Sequence, residues 1–258
     1  FLFDMDGTLY LGDELFPFTK PLLETIRSAG KTYLFMTNNS SKSVLDYVAK
    51  MERLGIPAEY DDFITSSQAT ADYLMKNHRD VKFYVCGTES FKAELAAAGV
   101  RVCDVYSEDI GGVVMGYDTE LTYGKVENAC RLLARGVDFL ATNPDWACPT
   151  LFGFVPDCGA ICEFIGRGAG RRPKFIGKPD PTMIRLALEQ TGCLPEETLM
   201  VGDRLYTDIA CGVNAGVDTV LVLTGEATAQ DAAVSATPPT LICRDMAELL
   251  ERIKEARA

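Results

Sequence analysis

The stretch Phe1-Leu2-Phe3-Asp4-Met5-Asp6-Gly7-Thr8 runs an apolar strand straight into two aspartates spaced two apart. Residues two apart on a strand face the same way, so Asp4 and Asp6 can address one ligand together. Gly7 lets the backbone turn closely around that ligand. Adjacent carboxylates repel unless a cation or a shared proton relieves them, which makes a divalent metal the natural third party. The same eight residues also read as a strand-to-turn junction with solvated acids, and the rest of the chain has to decide.

Moving outward, short β-rich runs at residues 31–36, 63–65, 198–202 and 218–223 alternate with helical patterns. That alternation predicts a parallel sheet buried on both faces. Residues 44–54 place Val44, Val48, Met51 and Leu54 at helical spacing and stop at Gly55, while 181–191 begin at Pro181 and stop at Gly192. Both obey the usual helix punctuation. Ligands of such sheets gather beyond the carboxyl ends of the strands, where Asp4, Thr37 and Asp203 all fall. The middle of the chain carries its own pattern, with strands expected at 82–86, 112–116 and 138–142 and helices near 90–98 and 122–135. Its exit, from Gly166 to Pro173, is rich in Gly and Arg and reads as a hinge. The expected architecture is α/β: a doubly wound, Rossmann-like parallel-sheet core domain from residues 1–76 and 173–258. A second, smaller α/β domain, residues 77–172, is inserted into it.

Composition narrows the function classes. Apolar residues make up 47% and charged residues 24% of the 258, ordinary for a soluble globular enzyme, and no run reaches the ~18 apolar residues of a membrane helix. Acidic residues outnumber basic ones 37 to 25, for a net charge of −12, which argues against nucleic acid or an anionic membrane surface as partner. A negative substrate then needs local rescue by a metal or a placed lysine. The nine cysteines are scattered and never form a C-x-x-C pair, which reads as reduced thiols in a cytoplasmic protein. Cys158 and Cys162 share a face if their segment is helical, but the neighbourhood lacks the further ligands of a zinc site. The single histidine, His78, lies in a polar stretch and reads as a surface residue, which argues against serine triads and histidine phosphatases. The chain begins at Phe1 without an initiator Met, which leaves room for upstream residues, a targeting segment among them.

Four segments stand in order along the chain: Asp4-Met5-Asp6-Gly7-Thr8, Thr37-Asn38-Asn39-Ser40-Ser41, Gly177-Lys178-Pro179, and Gly202-Asp203-Arg204-Leu205-Tyr206-Thr207-Asp208. With them the chain resembles the haloacid dehalogenase superfamily of aspartate-nucleophile phosphatases. Ala141-Thr142-Asn143-Pro144-Asp145, Gly177-Lys178-Pro179-Asp180-Pro181 and Leu223-Thr224-Gly225 extend the resemblance to its NagD-like, 4-nitrophenyl phosphatase group, over essentially the whole chain. The resemblance implies a small phosphorylated metabolite as substrate and Mg2+ as cofactor, with the inserted domain acting as a cap that shields the site and selects the substrate. Pairing of two copies through the cap is allowed but not decided by the sequence.

In that reading Asp4 is the nucleophile, giving an aspartyl-phosphate, and Asp6 donates a proton to the leaving alkoxide and then takes one from water. The metal falls to Asp4, Asp203 and the backbone carbonyl of Asp6, with Asp208 completing or orienting the set. Thr37 and the amides of Asn38 and Asn39, near an expected helix N-terminus, suit phosphate oxygens, and they read equally well as a helix cap. Lys178 supplies a fixed positive charge to the transferring phosphoryl. Asn143, Asp145, Trp146 and Cys148 are candidates for reading the substrate, with core packing an equal alternative for the tryptophan. Relatives that act on pyridoxal phosphate tend to carry histidine where Cys148 stands, which weighs against that substrate. Two other functions share the motifs: a phosphomutase or phosphotransferase using the same intermediate, and a non-catalytic phospho-ligand sensor or switch.

Overall fold

The computed structural model describes residues 1–150 and 152–256. The chain opens with β1 (Leu2–Phe3), the hairpin β2 (Tyr10–Leu11) and β3 (Glu14–Leu15), then α1 (Thr19–Ser28), β4 (Leu34–Thr37), α2 (Val44–Arg53), β5 (Phe63–Thr65) and α3 (Ser66–Asn77). The middle holds β6 (Lys82–Cys86), α4 (Glu89–Ala97), β7 (Arg101–Cys103), β8 (Gly112–Met115), α5 (Tyr123–Ala134), β9 (Asp138–Ala141), the hairpin β10 (Ala147–Thr150) and β11 (Gly153–Pro156), α6 (Cys158–Ala169) and β12 (Lys174–Phe175). The last third adds α7 (Thr182–Thr191), β13 (Leu199–Gly202), α8 (Ala210–Ala215), β14 (Asp218–Val222), α9 (Ala229–Ala233), β15 (Leu241–Cys243) and α10 (Met246–Glu255).

Six strands form a parallel sheet in the order β15-β14-β13-β1-β4-β5. Side-chain alternation sorts its residues onto two faces, each covered by helices. Phe3, Phe35, Phe63 and Val201 pack under α1, α2 and α10 with Leu22, Tyr47, Met51 and Leu249. Their neighbours Leu2, Leu34, Met36, Ile64 and Met200 face the other way, onto Met183, Ile184 and Ala187 of α7 and Cys211 of α8. A near-continuous apolar run is therefore what a strand of this sheet requires, and β1 supplies one before turning at Asp4.

Five further strands form a second parallel sheet, β12-β9-β8-β6-β7, with its own core of Tyr84, Val113, Met115, Leu132, Phe139 and Ile165. Its last strand, Lys174–Phe175, lies beyond the 77–172 segment expected from sequence. The expected hinge also needs correcting, because Gly166 to Ala169 complete the last turn of α6 and Gly170 ends the helix with a left-handed φ of 66°. The glycines of this stretch are helix interior and C-terminus before they are linker. Cys158 and Cys162 do share one helical face, their sulfurs 3.9 Å apart and buried, and all nine cysteines are free thiols. His78 ends α3, pairing with Asp138 at 3.3 Å and resting its ring against Phe83. No helix among the described residues is long and apolar enough to cross a membrane.

The two sheets are joined along a polar seam. Ser40 Oγ accepts the Tyr117 N–H at 2.8 Å and meets Thr142 Oγ1 at 2.8 Å, while Thr88 Oγ1 donates to the Ser41 carbonyl at 3.0 Å. On α4, Ser90 Oγ donates to Asp46 of α2 at 3.0 Å. One turn further along α4, both carboxylate oxygens of Glu94 are buried without a hydrogen-bond partner, and burial, then the charge of Asp46, pushes this carboxyl up to about 7. Because the folded chain holds this proton more tightly than the unfolded chain, the associated stability is present below about pH 4.5 and is lost as the pH rises through about 7. Glu94→Gln is therefore expected to stabilise the protein by about 2 kcal/mol at pH 8, with almost no effect at pH 4.5. Thermal unfolding followed by circular dichroism at the two pH values checks this, and an equal shift at both would rule it out.

Candidate active site

Three loops leave the same edge of the core sheet. Asp4 follows β1, Thr37 ends β4, and Asp203 follows β13. Strand β1 is flanked by β4 on one side and β13 on the other, so the chain has left it in both directions and a crevice opens between the loops. The Asp4 N–H donates to the Val201 carbonyl at 2.8 Å, which continues the β1–β13 ladder by one rung and fixes where the aspartate side chain emerges. Lys178 enters from the turn between β12 and α7.

Lys178 is only 1% exposed, and its Nζ donates to Asp4 Oδ1 at 2.6 Å, to Asp208 Oδ1 at 2.6 Å and to the Met36 carbonyl at 3.3 Å. Burial pulls its ammonium down, but Asp208 and Asp4 outweigh burial and hold it well above its ordinary value, so it remains charged. The carboxylates pay for the same crowding. Burial, then Asp208, raises Asp4 well above the carboxylate range, and burial with Asp208 pushes Asp203 up to about 6. Asp4, Asp203 and Asp208 bring carboxylate oxygens within 4.8 Å of one another. Three clustered carboxylates, two of them on the Lys178 ammonium, leave an excess of negative charge, and their oxygens are the hard donors that a small divalent cation prefers.

The backbone is shaped around this cluster. A side chain on Gly7, whose φ is 88°, would stand 2.7 Å from Asp203 Oδ2, and one on Gly225 would overlap the same carboxylate. Thr8 Oγ1 donates to Asp203 Oδ1 at 3.2 Å and the Glu226 N–H to Oδ2 at 2.8 Å, so the carboxylate is aimed from both sides. Asp208 is likewise engaged at both oxygens, by Lys178 and by the Arg204 N–H at 3.0 Å.

Asp6 lies beside Asp4 at the cavity wall. Burial raises its carboxyl, opposed by Lys50, Lys42 and Arg204, and Lys50 Nζ is 3.9 Å from its Oδ1. Thr37, Asn38 and Asn39 all line the cavity, but no helix begins at them. Helix α2 starts at Val44 behind its own capping box of Ser43 and Asp46. The loop is instead braced internally: the Asn39 N–H donates to Thr37 Oγ1 at 3.2 Å and Asn39 Oδ1 accepts the Ser41 N–H at 2.9 Å. The Asn38 side chain links three segments, donating to Asp145 at 3.2 Å and to the Lys178 carbonyl at 3.0 Å while accepting the Lys178 N–H at 2.9 Å.

Of the four substrate-reading candidates, Asp145 and Cys148 line the cavity. Asn143 is buried in the seam, donating to the Asn38 carbonyl at 2.7 Å, and Trp146 stands 59% exposed, apart from the cavity lining and outside any core. Arg204 and Asp157 are among the lining residues that the sequence did not single out. Arg204 spans the seam, with Nη1 3.4 Å from Asp145, Nε 3.0 Å from Glu226 and Nη2 donating to the Ala147 carbonyl at 3.3 Å. Asp157 caps α6 from the far wall. An aspartate directly ahead of the Cys158 and Cys162 spacing was a visible signal for capping if that segment is helical, though not for a place in the site. Beside Asp6 the cavity adjoins a channel of about 210 Å³ lined by Leu11, Pro149, Phe154, Arg204 and Glu226.

A parallel core sheet with an inserted α/β domain, and an aspartate after the first strand held by a buried lysine beside two further aspartates, defines a phosphohydrolase of the haloacid dehalogenase type. Family comparison agrees: the model described as Haloacid dehalogenase-like hydrolase matches residues 1–101, and a second, HAD-hydrolase-like model matches residues 175–249. An acid sugar phosphatase of Staphylococcus epidermidis is 35% identical over 246 residues, covering 95% of this chain and 94% of that protein. The solved 4-nitrophenylphosphatase of Thermotoga maritima superposes with a TM-score of 0.90 at 39% identity, over 97% of this chain and 95% of the other. A glycerol phosphate phosphatase of Mycobacterium tuberculosis, solved in complex with magnesium, gives a TM-score of 0.90 at 30% identity, over 96% of this chain and 75% of the other. The chain belongs to the NagD-like phosphatases of the haloacid dehalogenase superfamily, and it is a phosphoric monoester hydrolase.

Proposed function

We propose that the protein hydrolyses small phosphate monoesters by way of an aspartyl-phosphate on Asp4, with Mg2+ as the metal. The observation that carries this reading is the Asp4 carboxylate at the end of β1, 2.6 Å from a buried lysine and clustered with Asp203 and Asp208. A magnesium ion held by Asp4, Asp203 and the Asp6 carbonyl, with Asp208 orienting the set, would place positive charge against the transferring phosphoryl oxygens when bound.

The residues divide the chemistry between them. An oxygen of Asp4 forms a bond to phosphorus as the ester P–O bond breaks, and Asp6 passes its proton to the departing oxygen. The burial that raises the Asp6 carboxyl favours the protonated form this step needs. Asp6 then takes a proton from water, whose oxygen attacks phosphorus and frees Asp4 and phosphate. Lys178 and the Thr37–Asn39 loop hold the phosphoryl oxygens, and residues 77–175 cover the site as a cap.

Phosphate release is the decisive measurement, made across a panel of sugar phosphates, nucleoside monophosphates, phosphoglycolate and 4-nitrophenyl phosphate, with and without a chelator. Chelation is expected to lower turnover by at least ~100-fold and added Mg2+ to restore it. Turnover that survives chelation would remove the metal from the reading. Release without any acceptor separates hydrolysis from phosphotransfer, and an acyl-phosphate lasting minutes rather than seconds would favour a switch.

A further inference from the structure

The cavity above Asp4 ends on the cap side in two carboxylates, Asp145 and Asp157. Both are only 4% exposed, yet they are differently occupied. Asp145 is taken up by the seam: Arg204 Nη1 lies 3.4 Å away, the Asn38 amide donates to it at 3.2 Å, and its N–H donates to Asn143. Asp157 accepts one hydrogen bond, at 2.5 Å, from the Cys158 N–H of the helix it caps. Among the described residues no cation pairs with it, and its second oxygen accepts no hydrogen bond. Arg204, whose charge lowers the Asp157 carboxyl, lies against Asp145 and Glu226 and donates to the Ala147 carbonyl, its Nε making no hydrogen bond.

A buried carboxylate with an unused oxygen carries a desolvation cost that a donor would relieve. Here the open side is the cavity itself, so the missing donor can arrive with a ligand. Burial, then Asp145, pushes the Asp157 carboxyl up to about 7, so the wall carries its full negative charge above that pH, and burial, then Asp157, pushes the neighbouring Cys148 thiol up to about 11. A second anionic group on the bound molecule would face an acidic wall, whereas a hydroxyl or ammonium would complete it.

Building on the reading of this site as a phosphomonoesterase, we propose that Asp157 is a specificity residue. Its free oxygen accepts a hydrogen bond from a hydroxyl or ammonium group of the leaving alcohol, and its charge excludes leaving alcohols that carry a carboxylate or a second phosphate. Polyols and amino alcohols are then the favoured leaving groups.

The test compares kcat/KM at pH 8.5, where Asp157 is charged, for glycerol 1-phosphate and phosphoglycolate, esters of similar size whose leaving groups differ in charge, with 4-nitrophenyl phosphate as reference. The parent protein is expected to prefer glycerol 1-phosphate by about 100-fold. Asp157→Asn and Asp157→Ser both keep an acceptor at the N-cap of α6, so the helix retains its start. Each is expected to narrow the preference by at least ~10-fold, mainly through faster phosphoglycolate turnover, while changing 4-nitrophenyl phosphate turnover by less than about threefold. A preference that stays put in both variants, or a parent that favours phosphoglycolate, overturns the assignment of Asp157. Absence of 4-nitrophenyl phosphate turnover in the parent would instead overturn the phosphatase reading on which it rests.

Discussion

Asp4→Asn is expected to lower kcat by at least ~10⁴-fold while leaving the fold intact. The substitution keeps the shape of the side chain but removes the charge and nucleophilicity of its oxygen, and no other aspartate lies after β1 at that point of the crevice. The fold should not suffer. Asp4 sits in an excess of negative charge, and burial and Asp208 already raise its carboxyl, so neutralising it relieves repulsion as well as weakening the contact to Lys178. In metal-free buffer the melting temperature should match the parent's or exceed it. Steady-state kinetics with 4-nitrophenyl phosphate, paired with thermal unfolding, decides the matter: residual activity above about a tenth of the parent's in a well-folded protein would dismiss Asp4 as nucleophile.

Lys178→Met should damage both catalysis and stability. Removing one member of a buried ion cluster leaves the others uncompensated, which costs about 3–5 kcal/mol. Here the stranded groups are Asp4 and Asp208, each 2.6 Å from the ammonium that would be lost. Activity should fall by at least ~1000-fold, because the transferring phosphoryl loses its fixed cation. The origin of the stability loss can be separated from mere side-chain packing by adding Asp208→Asn. The double variant should recover at least ~1 kcal/mol relative to Lys178→Met alone, since one stranded charge is gone. Additive losses in the double variant would mean that Lys178 stabilises through packing rather than charge.

Much of the core site was legible because its residues announce themselves locally. An apolar run ending in Asp4-Met5-Asp6-Gly7 is a strand followed by a turn under any packing, and Gly7 does take the left-handed φ that its close approach to Asp203 requires. The motifs at Thr37, Lys178 and Asp203 each follow or precede an element whose periodicity is strong, so their arrival at one sheet edge follows from the parallel topology alone. Element ends were less legible. The Gly and Arg stretch after residue 165 reads as a linker because glycine disfavours helix, yet Ile161, Cys162 and Ile165 bury one face of α6 against the cap sheet and carry the helix through to Ala169. The helix expected at 44–54 does start at Val44, but its cap is Ser43 with Asp46, so the capping alternative for Thr37 to Asn39 falls away.

The cap side of the site was hardly legible. Trp146 was singled out as the only tryptophan, but an aromatic side chain carries no local sign of whether it faces a cavity, a core or water, and it faces water. Arg204 lies inside a recognised motif, yet nothing within the motif shows that its partner Asp145 belongs to the other domain. Glu94 and Asp157 looked like ordinary polar residues of helix starts and faces. Burial raises both carboxyls, with Asp46 of the core acting on Glu94 and Asp145 of the same domain acting on Asp157.

The sequence by itself determined the fold class, the order of the catalytic motifs and the family, because strand periodicity and turn chemistry are properties of neighbours along the chain. Only the tertiary structure decided which charges share a cavity, that Asp208 is bound at both oxygens, and that Asp157 keeps one oxygen open. The physical reason is distance. Burial and electrostatic compensation depend on groups brought together from opposite ends of the chain and from both domains, and no local pattern records which of them will meet.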